Sequence, residues 1–154
     1  MTDQYLHDRA EISDICRRVG WYLDTCAWDD MTELFTDEVL LDYRSLTGQP
    51  AETISRDQII QAWRRNREGL TATQHMISNQ LVEVHGDTAS ATAMYQATQY
   101  LPNPHGGPLW RLGGEYHYRL VRESGRWRIS ALTMIMRWAD GNRHIRDLAR
   151  ESAG

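Results

Sequence analysis

Trp110-Arg111-Leu112-Gly113-Gly114-Glu115-Tyr116-His117-Tyr118-Arg119-Leu120-Val121-Arg122-Glu123 alternates with a period of two. Leu112, Gly114, Tyr116, Tyr118 and Leu120 share one face, and Arg111, Glu115, His117 and Arg119 share the other. Successive side chains of an extended chain point to opposite sides, so this stretch predicts a long strand with one apolar and one wet face. Its neighbours carry the pattern outward. Residues 72–84, 89–100 and 127–138 read as further strands, with His85-Gly86-Asp87 and Ser124-Gly125-Arg126 as short turns between them. Residues 101–109 hold Pro102, Pro104, Pro108, Gly106 and Gly107 and form a loop.

Upstream the period changes to that of a helix. Ile12, Ile15, Cys16, Val19, Tyr22 and Leu23 fall on one side of a helix over residues 6–27. A second, short helix is expected over residues 25–35, burying Trp28, Met31, Leu34 and Phe35. Residues 39–43 form a short strand with Val39, Leu41 and Tyr43 on one face. A loop follows at residues 47–52. Ser55-Arg56-Asp57-Gln58 has the form of a capping box and opens a third helix to about residue 68, with Ile59, Ile60 and Trp63 inward. A last helix is expected over residues 143–152. Helices followed by a one-faced meander make a helix-on-sheet layer. The expectation is one cone-shaped α+β domain spanning residues 1–154, a curved mixed or antiparallel sheet wrapped around N-terminal helices, its concave face lining a pocket.

Composition bounds the function. The chain has 154 residues, 41% hydrophobic and 25% charged, with a net charge of −4. Phosphate backbones need a concentrated basic surface, and the arginines are scattered, so nucleic acid is not an expected partner. The one basic cluster, Trp63-Arg64-Arg65-Asn66-Arg67-Glu68, lies on a helix and reads as a solvated face. No apolar stretch is long enough for a membrane span, and the N-terminus lacks the pattern of a signal peptide. Cys16 and Cys26 lie ten residues apart on one helix, roughly 15 Å by its rise. That is too far for a disulfide. Both read as buried small apolar groups, which fits a reducing cytoplasm. No histidine pair has metal-ligand spacing, and there is no phosphate loop or Gly-x-Ser-x-Gly elbow. Neither metal nor cofactor is expected.

Three groups stand out: the acid Asp24, the phenol Tyr43 and the imidazole His75, on separate elements near the mouth of the cone. Together they suffice for proton abstraction, oxyanion support and return of the proton. Each also has a plainer role open to it. Asp24 can form a turn near a helix end, Tyr43 can fill the core, and His75 can be a structural histidine. Ile77, Asn79 and Leu81 are expected on the face of His75.

These residues carry a resemblance. Tyr22-Leu23-Asp24 followed by Trp28, then Asp42-Tyr43-Arg44-Ser45, Thr73-Gln74-His75, Gly125-x-Trp127 and Arg137-Trp138 occur in the order found in scytalone dehydratase. That enzyme belongs to the SnoaL-like branch of the nuclear transport factor 2-like (cystatin-like) fold. The tail Trp138-x-Asp140-Gly141-Asn142 is similar to the wider SnoaL-like group. The resemblance implies His75 as general base and then acid, Asp24 as its orienting partner, and Tyr43 as the group that polarises a carbonyl. It implies a cofactor-independent lyase or isomerase, a dehydratase in type, acting on a hydrophobic cyclic molecule of polyketide- or steroid-like character. Asn79, Tyr116, Tyr22, Trp63 and Met134 are the expected substrate-binding residues. A homodimer or homotrimer is expected. The pattern also departs from the family. Leu23 stands where the dehydratase has a second tyrosine, Gln96-Ala97-Thr98-Gln99 lacks its second histidine, and Gly114 and Tyr116 replace its serine and asparagine. Scytalone itself is therefore not the expected substrate, and Tyr116 is a candidate replacement phenol. The same fold also serves as a ligand-binding or partner-docking module, and as the β subunit of aromatic-ring dioxygenases. The catalytic reading requires Asp24, Tyr43 and His75 to converge in one pocket.

Overall fold

The computed structural model describes residues 2–153. Helix α1 (Asp3–Thr25) opens on Thr2, whose hydroxyl accepts from the Tyr5 amide, and ends at Cys26 in the left-handed conformation. Ile12, Ile15, Cys16 and Val19 form its buried side, as the periodicity predicts. Cys26 departs from expectation. As the cap beyond the last helical turn it is exposed, and only Cys16 is buried.

The expected second helix is cut short. α2 (Trp28–Thr32) ends before Phe35, which instead begins strand β1 (Phe35–Asp42). Tertiary pairing overrides the helical spacing here. The Leu34 carbonyl accepts from the Ile129 amide, and Phe35 pairs in register with Ile129. The expected loop after β1 is partly structured, as helical turn α3 (Arg44–Thr47) and short strand β2 (Glu52–Ser55). The capping box is present: the Ser55 hydroxyl accepts from the Gln58 amide, and the Gln58 side chain accepts from the Ser55 amide. It opens α4 (Arg56–Arg67), which buries Ile59, Ile60 and Trp63.

The meander follows as β3 (Ala72–His85), β4 (Thr88–Tyr100), β5 (Leu109–Glu123) and β6 (Arg126–Gly141), and helix α5 (Ile145–Ala153) closes the chain. The six strands lie in the order β2-β1-β6-β5-β4-β3. All pairs are antiparallel except β1 on β6. The sheet is curved and unclosed, and α1 and α4 fill its concave side. The core runs from Ile12, Phe35 and Ile59 through Tyr118, Leu120 and Trp127 to Ile145. Among the described residues no helix is long and apolar enough to cross a membrane.

Candidate active site

Asp24 occupies the last turn of α1, and the start of β3 lies beside it. This proximity depends on Gly20, one turn earlier. A Cβ at Gly20 would stand 3.1 Å from the His75 Cβ and 3.4 Å from Ile77 Cγ1. The missing side chain lets the helix backbone approach the strand.

Asp24 then accepts three hydrogen bonds from β3. The Thr73 hydroxyl donates to Oδ1 at 2.9 Å, the His75 amide donates to Oδ2 at 2.7 Å, and His75 Nδ1 lies 2.7 Å from Oδ1. A carboxylate accepts only, so Nδ1 carries the hydrogen, and in the neutral ring Nε2 keeps its lone pair. The His75 and Asp24 side chains are 15% and 19% exposed. That is enough enclosure to hold the ring, with an open side for a ligand.

Tyr43 sits one residue beyond β1, at the start of α3, not on the strand itself. The Asp42-Tyr43-Arg44-Ser45 motif explains its fixation. Asp42 Oδ1 accepts from the Arg44 amide at 3.0 Å, and the Tyr43 carbonyl accepts from the amides of Leu46 and Thr47. The Ser45 hydroxyl donates to the Met134 carbonyl at 2.9 Å and accepts from the Met136 amide at 2.8 Å. The turn is thus stitched to β6. Part of Tyr43 reaches solvent, but its hydroxyl is enclosed. Burial, aided by Tyr95, pushes the phenol well above its ordinary pKa, against smaller opposing effects of Arg146 and Trp63. A neutral phenol so placed can donate a hydrogen bond into the cavity.

A cavity of about 300 Å³ joins these groups. Tyr43, His75, Trp63, Tyr116 and Met134 all line it, with Thr73 beside His75. Tyr95 stacks on Tyr116 with ring centroids 4.3 Å apart, and the buried Tyr95 hydroxyl has no partner among the described residues. Burial raises the Tyr95 phenol to about 12. Burial raises Tyr116 as well, with Arg146 opposing it and the Asp24 carboxylate adding to it. The floor of the cavity is a set of neutral phenols facing one imidazole.

Two expected lining residues lie elsewhere. Asn79 has φ 50° and sits in a break of register between Ser78 and Leu81. Such a bulge reverses the parity of the strand. His75 and Ile77 point inward before it and Val82 after it, whereas Asn79 and Leu81 are exposed. Asn79 therefore does not share a face with His75. Tyr22 packs against the core but does not line the cavity. It stands two residues from Asp24, about 200° around the helix, and Leu23 takes the lining position.

Sequence reasoning missed Arg146, Gln99 and Arg67, which also line the cavity. Arg146 comes from α5, far along the chain from Asp24, Tyr43 and His75. The only local signal is a buried glutamine at position 99 of a strand otherwise lined inward by Ala93, Tyr95 and Ala97. Among the described residues no three His, Cys, Asp or Glu side chains gather as a metal site would need.

Residues 4–133 match the model of the SnoaL-like domain. No curated protein matches the chain with significant sequence similarity. Among solved structures, Kfla4162 from Kribbella flavida is 27% identical, with a TM-score of 0.87 over 93% of this chain and 99% of that one. A protein assigned as a scytalone dehydratase from Novosphingobium aromaticivorans is 19% identical, with a TM-score of 0.78 over 93% of each chain. A hexachlorocyclohexane dehydrochlorinase, LinA Type2, is 16% identical, with a TM-score of 0.74 over 90% of each chain. The latter two share the fold. With its helices in the cup of an unclosed six-stranded sheet and a family match over most of its length, the chain belongs to the SnoaL-like domain family.

Proposed function

We propose that the protein is a cofactor-independent lyase or isomerase that removes a proton next to a carbonyl of a hydrophobic cyclic small molecule. The observation that carries this is the 2.7 Å contact between His75 Nδ1 and Asp24 Oδ1 at the wall of an apolar cavity. An imidazole titrates near neutral pH, so it can take a proton and give it back. Nε2 abstracts the proton from the carbon beside the carbonyl. The electron pair moves onto the carbonyl oxygen, and the Tyr43 hydroxyl donates a hydrogen bond to the enolate. Asp24 stabilises the imidazolium that forms. The enolate then collapses and expels a hydroxyl from the next carbon, which leaves as water with the proton from Nε2. Alternatively, the same proton returns to a different carbon and the double bond migrates. The cavity volume suits a compact ring system of polyketide- or steroid-like character. Two of the structural relatives are named for eliminations, of water and of hydrogen chloride. They contribute the fold, and the dyad contributes the chemistry.

The test is deuterium exchange at the α-carbon of bicyclic ketones, 2-tetralone first, with parallel detection of enone absorbance from β-hydroxy ketones. The wild-type chain is expected to exchange well above the buffer rate, and His75→Asn to lose about 10³-fold with an unchanged melting temperature. No exchange with any ketone, or equal exchange by His75→Asn, would hand the site to the non-catalytic binding reading.

A further inference from the structure

The polar wall of the cavity contains cations that its own carboxylates do not neutralise. Arg146 donates from Nε to Gln99 Oε1 at 3.0 Å, and its guanidinium carbon lies 5.2 Å from the Trp110 ring centroid. No acidic side chain among the described residues lies within ion-pair distance of Arg146. Arg67 lines the same cavity. Its Nη1 donates to the Leu70 carbonyl at 2.7 Å, while its buried Nε has no partner among the described residues. The one carboxylate along the wall, Glu52, is exposed on β2.

Holding a guanidinium out of water without a counter-ion is costly. Burial, with the like charge of Arg150, accordingly pulls the Arg146 pKa down. A planar guanidinium with free N–H groups is suited to a carboxylate. The support is firm. Ile145 and Ala149, on either side of Arg146 in α5, are buried, and Gly69 (φ +78°) packs directly against the Ala149 backbone. α5 also lies beyond the stretch that matches the family domain.

We propose that the ligand of this cavity is an anionic amphiphile: an apolar ring system bearing a carboxylate that seats on Arg146, with Arg67 close by. The proposal takes the cavity as the substrate site of the preceding section and adds the charge of what it binds.

The experiment is calorimetric titration with 2-naphthoate and with 2-naphthalenemethanol, which share a ring system and differ in charge. The wild-type chain is expected to bind the naphthoate at least about tenfold more tightly. Arg146→Gln should abolish that preference while leaving affinity for the alcohol within about twofold. Arg146→Lys should restore part of it, and Arg150→Gln, one turn along the same helix, should leave it intact. Equal affinities in the wild type would overturn the proposal. So would a preference that survives Arg146→Gln, or one that disappears in His75→Asn, since the imidazolium would then be the anion's partner. Because no proton transfer is measured, a chain inert towards ketones that still prefers the naphthoate loses the catalytic reading and keeps the anion seat.

Discussion

Helix α1 carries two enclosed carboxylates, one near each end, and they are built for opposite purposes. Asp8 is 3% exposed. Oδ2 accepts from Arg122 Nη2 at 2.7 Å, and Oδ1 accepts from Trp127 Nε1 at 3.1 Å and Gln4 Nε2 at 3.0 Å. Arg122 also stacks over the Trp127 ring, 4.5 Å from its centroid, and bonds Asp87. Its partner is a permanent cation, and neither residue lines the cavity that holds His75 and Tyr43. Asp24 accepts as many hydrogen bonds, but its partner is an imidazole, the one side chain whose charge changes near neutral pH. A carboxylate bound to a fixed charge ties α1 to β5 and β6. One bound to an imidazole at the wall of a cavity suits the proton transfer proposed above.

Asp24→Asn should separate the two carboxylates most clearly. The amide can still occupy the site but presents the wrong partner to Nδ1. Exchange catalysis should fall about 10³-fold, and the melting temperature should change by only a few degrees. A small rate effect would remove the distinction between the two ends. The converse change is Asp8→Ala, which strips Trp127 Nε1 and Arg122 of their acceptor. Arg122 keeps Asp87, so the expected loss is about 2–3 kcal/mol, read from urea midpoints, with the rate per folded molecule unaltered.

Acid sharpens the same contrast. The hydrogen bond from Arg122, opposed by burial and helped by Trp127 and Gln4, holds the Asp8 carboxyl down at about 2 from its ordinary 3.8. A depressed folded-state value contributes stability above the ordinary value and loses it as pH falls through the folded one. Between pH 4 and pH 2 the wild-type midpoint should therefore descend towards that of Asp8→Ala, and parallel curves would contradict the assignment. The smallest effect is expected from Gly20→Ala. Alanine improves the helix by up to about 1 kcal/mol, while its methyl would press on the His75 Cβ from 3.1 Å. Stability should change little, and exchange should slow several-fold through displacement of the ring.

Much of the fold was legible because its signals are local. The alternation of residues 110–123, the turns at residues 85–87 and 124–126, and the Ser55–Gln58 box each depend on residues within a few positions of one another. The second helix was overextended because Phe35 continues a helical spacing yet pairs with Ile129, a partner no local pattern reveals. Of the site, the acid, phenol and imidazole were named from the chain, and the structure brings Tyr43 and His75 to one cavity with Asp24 behind the ring. Asn79 was misplaced because periodicity assumes an unbroken strand, and one bulged residue inverts everything after it.

By itself, then, the sequence determined most of the element types and named the acid, the phenol and the imidazole as candidates. Only the tertiary structure decided which groups share a cavity. The His75–Asp24 contact spans 51 residues of chain, Arg146–Gln99 spans 47 and Asp8–Trp127 spans 119. Contacts of that separation are set by how the sheet curls round α1 and where α5 docks. Those outcomes reflect the packing of the whole core, not the preferences of any short segment.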